Sequence, residues 1–98
     1  MVWLEERELL RRLRRGDPSA LEELMDRDMG FACGLAGSVL RGRPRDAEEV
    51  VSDAFLALWE HAGQVEPGKL RPWLGRVVRN KALNRRRTLG GELPLEEG

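Results

Sequence analysis

The sequence offers little on which covalent chemistry could be built. Its 98 residues hold one cysteine, Cys33, and one histidine, His61. A single cysteine allows no internal disulfide. No metal-ligand spacing, phosphate-binding glycine loop or nucleophile motif accompanies either residue. These absences argue against an enzyme, a metal site or a bound cofactor, and leave no feature suited to a small-molecule substrate. Apolar runs are also short, none approaching the length needed to cross a bilayer. The N-terminal residues 1–7 read as charged helix rather than as a secretory signal. A cytoplasmic protein with no membrane partner is the expectation. Alternating strand patterns and internal repeats are missing too, so an all-α fold of about four helices is expected, in one small domain.

One absence concerns charge. The formal net charge is zero, yet residues 67–89 carry eight basic residues and no acidic one. Residues 1–40 carry six basic against eight acidic residues, and residues 41–66 three against six. The acid-free block is therefore the candidate for binding a polyanion.

The most strongly patterned stretch is residues 45–62. Ala47, Val50, Val51, Ala54, Phe55, Leu58, Trp59 and Ala62 recur at spacings of three and four, which places one apolar stripe on a helix. Pro44 suits its first position, because a missing N–H there leaves no hydrogen bond unmade. Asp46, Glu48 and Glu49 favour the positive end of the helix dipole. Leu56 falls off the stripe, among Glu49, Ser52, Asp53 and Glu60. That outer face has two readings: a solvated surface with a stray leucine, or an acidic docking surface with an apolar anchor.

Three more helices are expected around this one. Residues 3–15 form the first, with Leu9, Leu10 and Leu13 inward and Arg11, Arg12, Arg14 and Arg15 on a solvated surface. Asp17 as cap and Pro18 as first residue open a second, running to about residue 40. Its stripe is Leu21, Leu24, Met25, Ala32, Leu35, Ala36, Val39 and Leu40, weakened in the middle by Asp28. Gly30, Gly34 and Gly37 predict close approach of another helix, with Cys33 as a small packing residue beside them. Residues 63–68 read as an irregular loop. The last helix starts at residue 69 or 70 and runs to about 87. Leu70, Trp73, Leu74, Val77 and Val78 face inward, and Gly75 predicts a further close contact. Arg76, Arg79, Asn80, Arg86 and Arg87 cluster on the other side. Leu83 projects there as well, so either that face has an apolar contact or the helix rotates towards its end.

Two stretches carry a family resemblance. The first is Pro44-Arg45-Asp46-Ala47-Glu48-Glu49-Val50-Val51-Ser52-Asp53-Ala54-Phe55-Leu56-Ala57-Leu58-Trp59. The second is Leu70-Arg71-Pro72-Trp73-Leu74-Gly75-Arg76-Val77-Val78-Arg79-Asn80. In this order and at this separation they resemble region 2 of bacterial RNA polymerase sigma factors, most like the extracytoplasmic-function (ECF) group, over residues 17–87. The sequence differs from the family pattern at Val65-Glu66-Pro67, at Arg43 and at Lys81.

The resemblance implies two tasks. Glu49, Ser52, Asp53, Leu56 and Glu60 would contact the β′ clamp helices of core RNA polymerase. Gly63, Gln64, Val65, Glu66 and Lys69 would form a pocket for a base flipped from the non-template single strand of the promoter minus-ten element. Arg76, Arg79, Asn80, Asn84, Arg86 and Arg87 would track that strand. An anti-sigma factor covering the docking surface is a further partner the family implies. Two other readings suit the same composition: a helical module that binds nucleic acid through its arginines alone, and a protein-binding helical adaptor. Residues 1–89 are expected to be the domain and 90–98 the start of a linker. The helix-turn-helix that normally follows is not encoded here, which points to an excised domain rather than a natural one-domain variant.

Overall fold

A computed structural model describes the backbone of residues 2–90 and the side chains of residues 5–90. Four helices follow one another: α1 (Val2–Arg14), α2 (Pro18–Val39), α3 (Pro44–Glu60) and α4 (Leu70–Leu89), with a single 3-10 turn at Ala62–Gln64 between the last two. No strand occurs among the described residues. The helices α2, α3 and α4 pack on one another, while α1 lies against α2 and the 3-10 turn. The expected linker falls outside the described residues except for Gly90, which ends α4 at φ 59°.

Local chemistry explains the boundaries. Gly16 takes φ 85° after α1, a backbone conformation open to glycine and strained for other residues. Asp17 then caps α2, its carboxylate accepting the Ser19 N–H at 3.0 Å, with Pro18 in the first turn. Pro44 opens α3, and Arg43 before it supplies no side-chain cap.

The α3 stripe is buried as its periodicity requires: Ala47, Val50, Val51, Ala54, Phe55 and Leu58 all lie in the core. They meet Leu24, Ala32, Ala36 and Leu40 of the α2 side, and Leu70, Leu74, Val78 and Ala82 of α4. Leu10 and Leu13 of α1 are buried in the same core. Trp73, Val77 and Leu83 pack against this core while half-buried. Leu83 thus belongs to the interior contact of α4 rather than to an apolar patch on its outer side.

Several expectations need correction. Gly30, Gly34 and Gly37 have open space where a Cβ would stand, so no helix approaches them closely. Cys33 beside them is exposed, not a packing residue. Gly75 does mark a close contact, because an added Cβ would lie 3.2 Å from Phe31 Cζ. Asp28 does not weaken α2. It is fully buried and accepts hydrogen bonds from Arg27 Nη2 at 2.8 Å and Arg71 Nε at 3.1 Å. A buried carboxylate is stable only when paired in this way. Arg71 also lies over the Phe31 ring, 5.0 Å from its centroid. Arg12 and Arg14 are not simply solvated either. Arg12 binds Asp17 and Glu23, and Arg14 reaches across to the α3–α4 connection.

Candidate functional site

The outer face of α3 follows from its helical period. Glu49, Ser52, Asp53, Leu56 and Glu60 are three or four residues apart and lie on one side. All five are exposed. Leu56 is 57% exposed and is the only large apolar side chain so placed among the described residues. Glu49, Ser52 and Asp53, joined by Arg45 and Glu48, line a shallow cleft of about 420 Å³. Arg45 and Glu48 were not among the expected contact residues, though their one-turn spacing from Glu49 and Ser52 already marked them as neighbours.

Glu49 is not entirely free. Arg85 of α4 donates through Nη1 to Asp46 at 2.6 Å and to Glu49 at 3.0 Å. The bond to Asp46, then that to Glu49, raises the already high pKa of this guanidinium. The pair of carboxylates ties the start of α3 to α4.

The connection between α3 and α4 is shaped from a distance. The Ala62–Gln64 turn is a short regular element in a stretch whose sequence predicted none. Arg14 donates through Nε to the Ala62 carbonyl at 3.1 Å and through Nη2 to the Val65 carbonyl at 2.7 Å. Glu6, almost fully buried, accepts the Gly68 N–H at 2.5 Å and the Leu70 N–H at 3.1 Å with one oxygen. Its other oxygen accepts Arg27 Nη2 at 2.9 Å. The first amides of α4 lack a side-chain cap from Lys69, so Glu6 supplies one from another helix. Gly68 reaches this bond at φ 86°. Thus α1 grips the connection at both ends, carbonyls at one and amides at the other. Neither role was readable from sequence, since Glu6 and Arg14 look like ordinary charges on an exposed helix.

The loop residues are not equivalent. Gly63, Gln64, Glu66 and Lys69 are exposed. Val65 is buried with 1% of its surface exposed. Its side chain packs in the core cluster and anchors the loop there. Gln64 Nε2 lies 3.5 Å from His61 Nδ1.

On α4, Arg76, Arg79, Asn80, Asn84 and Arg87 are exposed, and Arg86 sits at the edge, half-buried. Their spacing places them on one broad side. Of the eight basic residues in 67–89, Arg71 and Arg85 are held by carboxylates. The other six form no ion pair among the described residues. The described residues hold no group of three potential metal ligands, and none of their helices is long and apolar enough to cross a membrane.

Residues 24–91 match the family model described as Sigma-70 region 2. The chain is 35% identical over 80 residues to the RNA polymerase sigma factor NccH of Alcaligenes xylosoxydans xylosoxydans, covering 81% of this chain and 42% of that protein. It is 33% identical over 82 residues to the ECF RNA polymerase sigma factor SigK of Mycobacterium sp. (strain KMS), covering 82% of this chain and 42% of that one. The chain thus spans less than half the length of these curated relatives. No solved structure matches it.

Proposed function

The chain belongs to the sigma-70 region 2 family, and on that premise we propose that it serves transcription initiation as the domain joining core RNA polymerase to an opened promoter. The outer face of α3 docks on the β′ clamp helices. Leu56 enters an apolar spot there, while Asp53, Glu49 and Glu60 meet basic residues. The α3–α4 loop and the outer side of α4 hold the non-template strand of the minus-ten element. Arginines fix the backbone without regard to sequence. Asn80 and the exposed loop groups read base edges. Capturing a flipped base offsets an unstacking penalty of a few kcal/mol, on the order given for base-flipping proteins.

One observation carries this reading: carboxylates gather on the outer face of α3, with Arg45 among them, and cations gather on the outer side of α4. The only exposed large apolar side chain among the described residues stands on that α3 face. A module binding nucleic acid by charge alone has no use for that leucine. An adaptor for proteins alone has no use for six unpaired cations on and beside α4.

Two measurements test it. A pull-down with isolated β′ clamp helices should retain the wild type, and Asp53→Arg or Leu56→Ala should weaken retention. Because Leu56 is exposed, its replacement should change stability by no more than about 0.5 kcal/mol. Fluorescence anisotropy at one fixed salt concentration should show tighter binding of a minus-ten-like single strand than of a scrambled one. Equal affinities would favour the charge-only module. Unchanged function after charge reversal at Arg79 and Arg86 would favour the adaptor.

A further inference from the structure

Beside the loop lies a second basic feature that the family motifs do not touch. A cleft of about 410 Å³ between α1 and the loop is lined by Arg7, Arg11, Arg14 and Pro67. The three arginines are four and three residues apart, so they share one face of α1. No acidic residue is among the lining.

The charge in this cleft is largely uncompensated. Arg14 bonds only to the neutral carbonyls of Ala62 and Val65. Arg11 pairs with Glu8 at 2.7 Å, both side chains more than half exposed, and such surface pairs hold weakly. Arg7 has no hydrogen bond or ion pair among the described residues. Glu6, next to Arg7 in sequence, is turned into the core and held by Gly68, Leu70 and Arg27. Arg14 joins the two features physically, since the side chain that lines the cleft also holds the loop.

We propose that this cleft is a phosphate subsite for single-stranded nucleic acid. It takes the backbone phosphate beside the nucleotide that occupies the loop. The guanidinium fork matches a phosphate's paired oxygens. The strand is then held from α1 as well as from α4, with the loop between the two anchors. The subsite adds affinity without sequence preference. This inference rests on the reading that the loop and α4 bind an unpaired strand.

The test uses the whole chain with both Arg7→Gln and Arg11→Gln. Neither residue holds the loop, and circular dichroism melting should match the wild type. Anisotropy with a labelled single strand of about 12 nucleotides, within the usual range of site sizes, should show roughly five- to tenfold weaker binding at low salt. The slope of log affinity against log salt should become shallower by about 0.7 for one lost phosphate contact. The minus-ten-like and scrambled strands should lose affinity equally, and Arg7→Lys with Arg11→Lys should restore most of the slope. Trimming the oligonucleotide from one end should abolish the difference between wild type and the glutamine variant, while trimming from the other should preserve it. An unchanged affinity and slope in the glutamine variant, with wild type still preferring the minus-ten-like strand, overturns the subsite alone. Wild type that binds neither strand overturns the functional reading together with it.

Discussion

Glu6 and Leu70 stand 64 positions apart, yet the Glu6 carboxylate accepts the Leu70 N–H at 3.1 Å. The same oxygen takes the Gly68 N–H. A residue of the first helix thereby fixes where the last helix begins, and so where its basic side points.

Removing that carboxylate should therefore be severe. Glu6→Ala leaves two amides without their acceptor and takes one of two carboxylate partners from the part-buried Arg27, which keeps Asp28. The expected loss is on the order of 2–4 kcal/mol, as for a buried, charge-assisted network broken on one side. Glu6→Gln keeps one acceptor oxygen and should lose less. Urea denaturation measures the difference, and amide exchange at Gly68 and Leu70 should quicken more than exchange in the middle of α3. Equal protection in wild type and Glu6→Ala would show that the bond contributes nothing.

The same pair shows where sequence reading succeeds and where it stops. The α3 stripe from Ala47 to Leu58 was legible because its evidence is local: each residue's neighbours in space lie three or four positions away. Leu56 was legible as outward-facing for the same reason. The cap at Asp17 and the first-turn Pro18 were local signals too. Glu6, Arg14 and Asp28 were not legible in this way. Each has a partner in the α3–α4 connection or in α4, 43 to 64 positions away, and a charged residue on a helix carries no mark of a distant partner. Asp28 was read as a defect because its place on the apolar stripe was visible and Arg71 was not. Gly30, Gly34 and Gly37 were misread because a glycine records only the lack of a side chain, whether or not another helix makes use of it. Val65 looked like any loop residue until the packing of α1 against the 3-10 turn enclosed it.

Those glycines yield a prediction with the opposite sign from most substitutions. Gly34 lies inside α2, is exposed, and has nothing within 4 Å of a new Cβ. Its φ is not positive. Alanine there removes backbone freedom from the unfolded chain and meets no clash, so Gly34→Ala should stabilise by about 0.5–1 kcal/mol. Gly75→Ala is the contrast, since the new methyl would press on Phe31 Cζ at 3.2 Å. It should gain less than Gly34→Ala or lose stability. Parallel thermal melts of the two variants decide the matter, and equal gains would overturn the distinction.

The α2 cap predicts a pH effect. Hydrogen bonds from the Ser19 hydroxyl, then from Arg12 and the Ser19 amide, lower the Asp17 carboxyl to about 2. The unfolded value is near the ordinary 3.8, so the folded protein binds this proton less readily than the unfolded chain. The contribution to stability is thus complete above roughly pH 4 and fades as pH falls towards 2. Asp17→Asn keeps a capping oxygen but has no proton to titrate. Its stability should fall less steeply than that of the wild type across that interval, by equilibrium denaturation at several pH values. Parallel curves would assign the acid sensitivity to other carboxylates.

Arg79 and Arg85 sit on the same helix six residues apart and should fail differently when replaced. Arg85 is engaged with Asp46 and Glu49 across the α3–α4 contact. Its charge is matched locally, so Arg85→Ala should cost about 1 kcal/mol or less of stability, as partly exposed ion pairs do, and leave the salt slope of strand binding nearly unchanged. Arg79 is exposed and forms no ion pair among the described residues. Arg79→Ala should leave the denaturation midpoint in place, weaken binding of both strands and reduce the salt slope by about 0.7, one phosphate contact for single-stranded DNA. Titrations of each variant over a range of salt concentrations separate the two outcomes. If Arg85→Ala lowered the slope as much as Arg79→Ala, the α3–α4 ion pair would have to open on binding, and the two faces could not be independent.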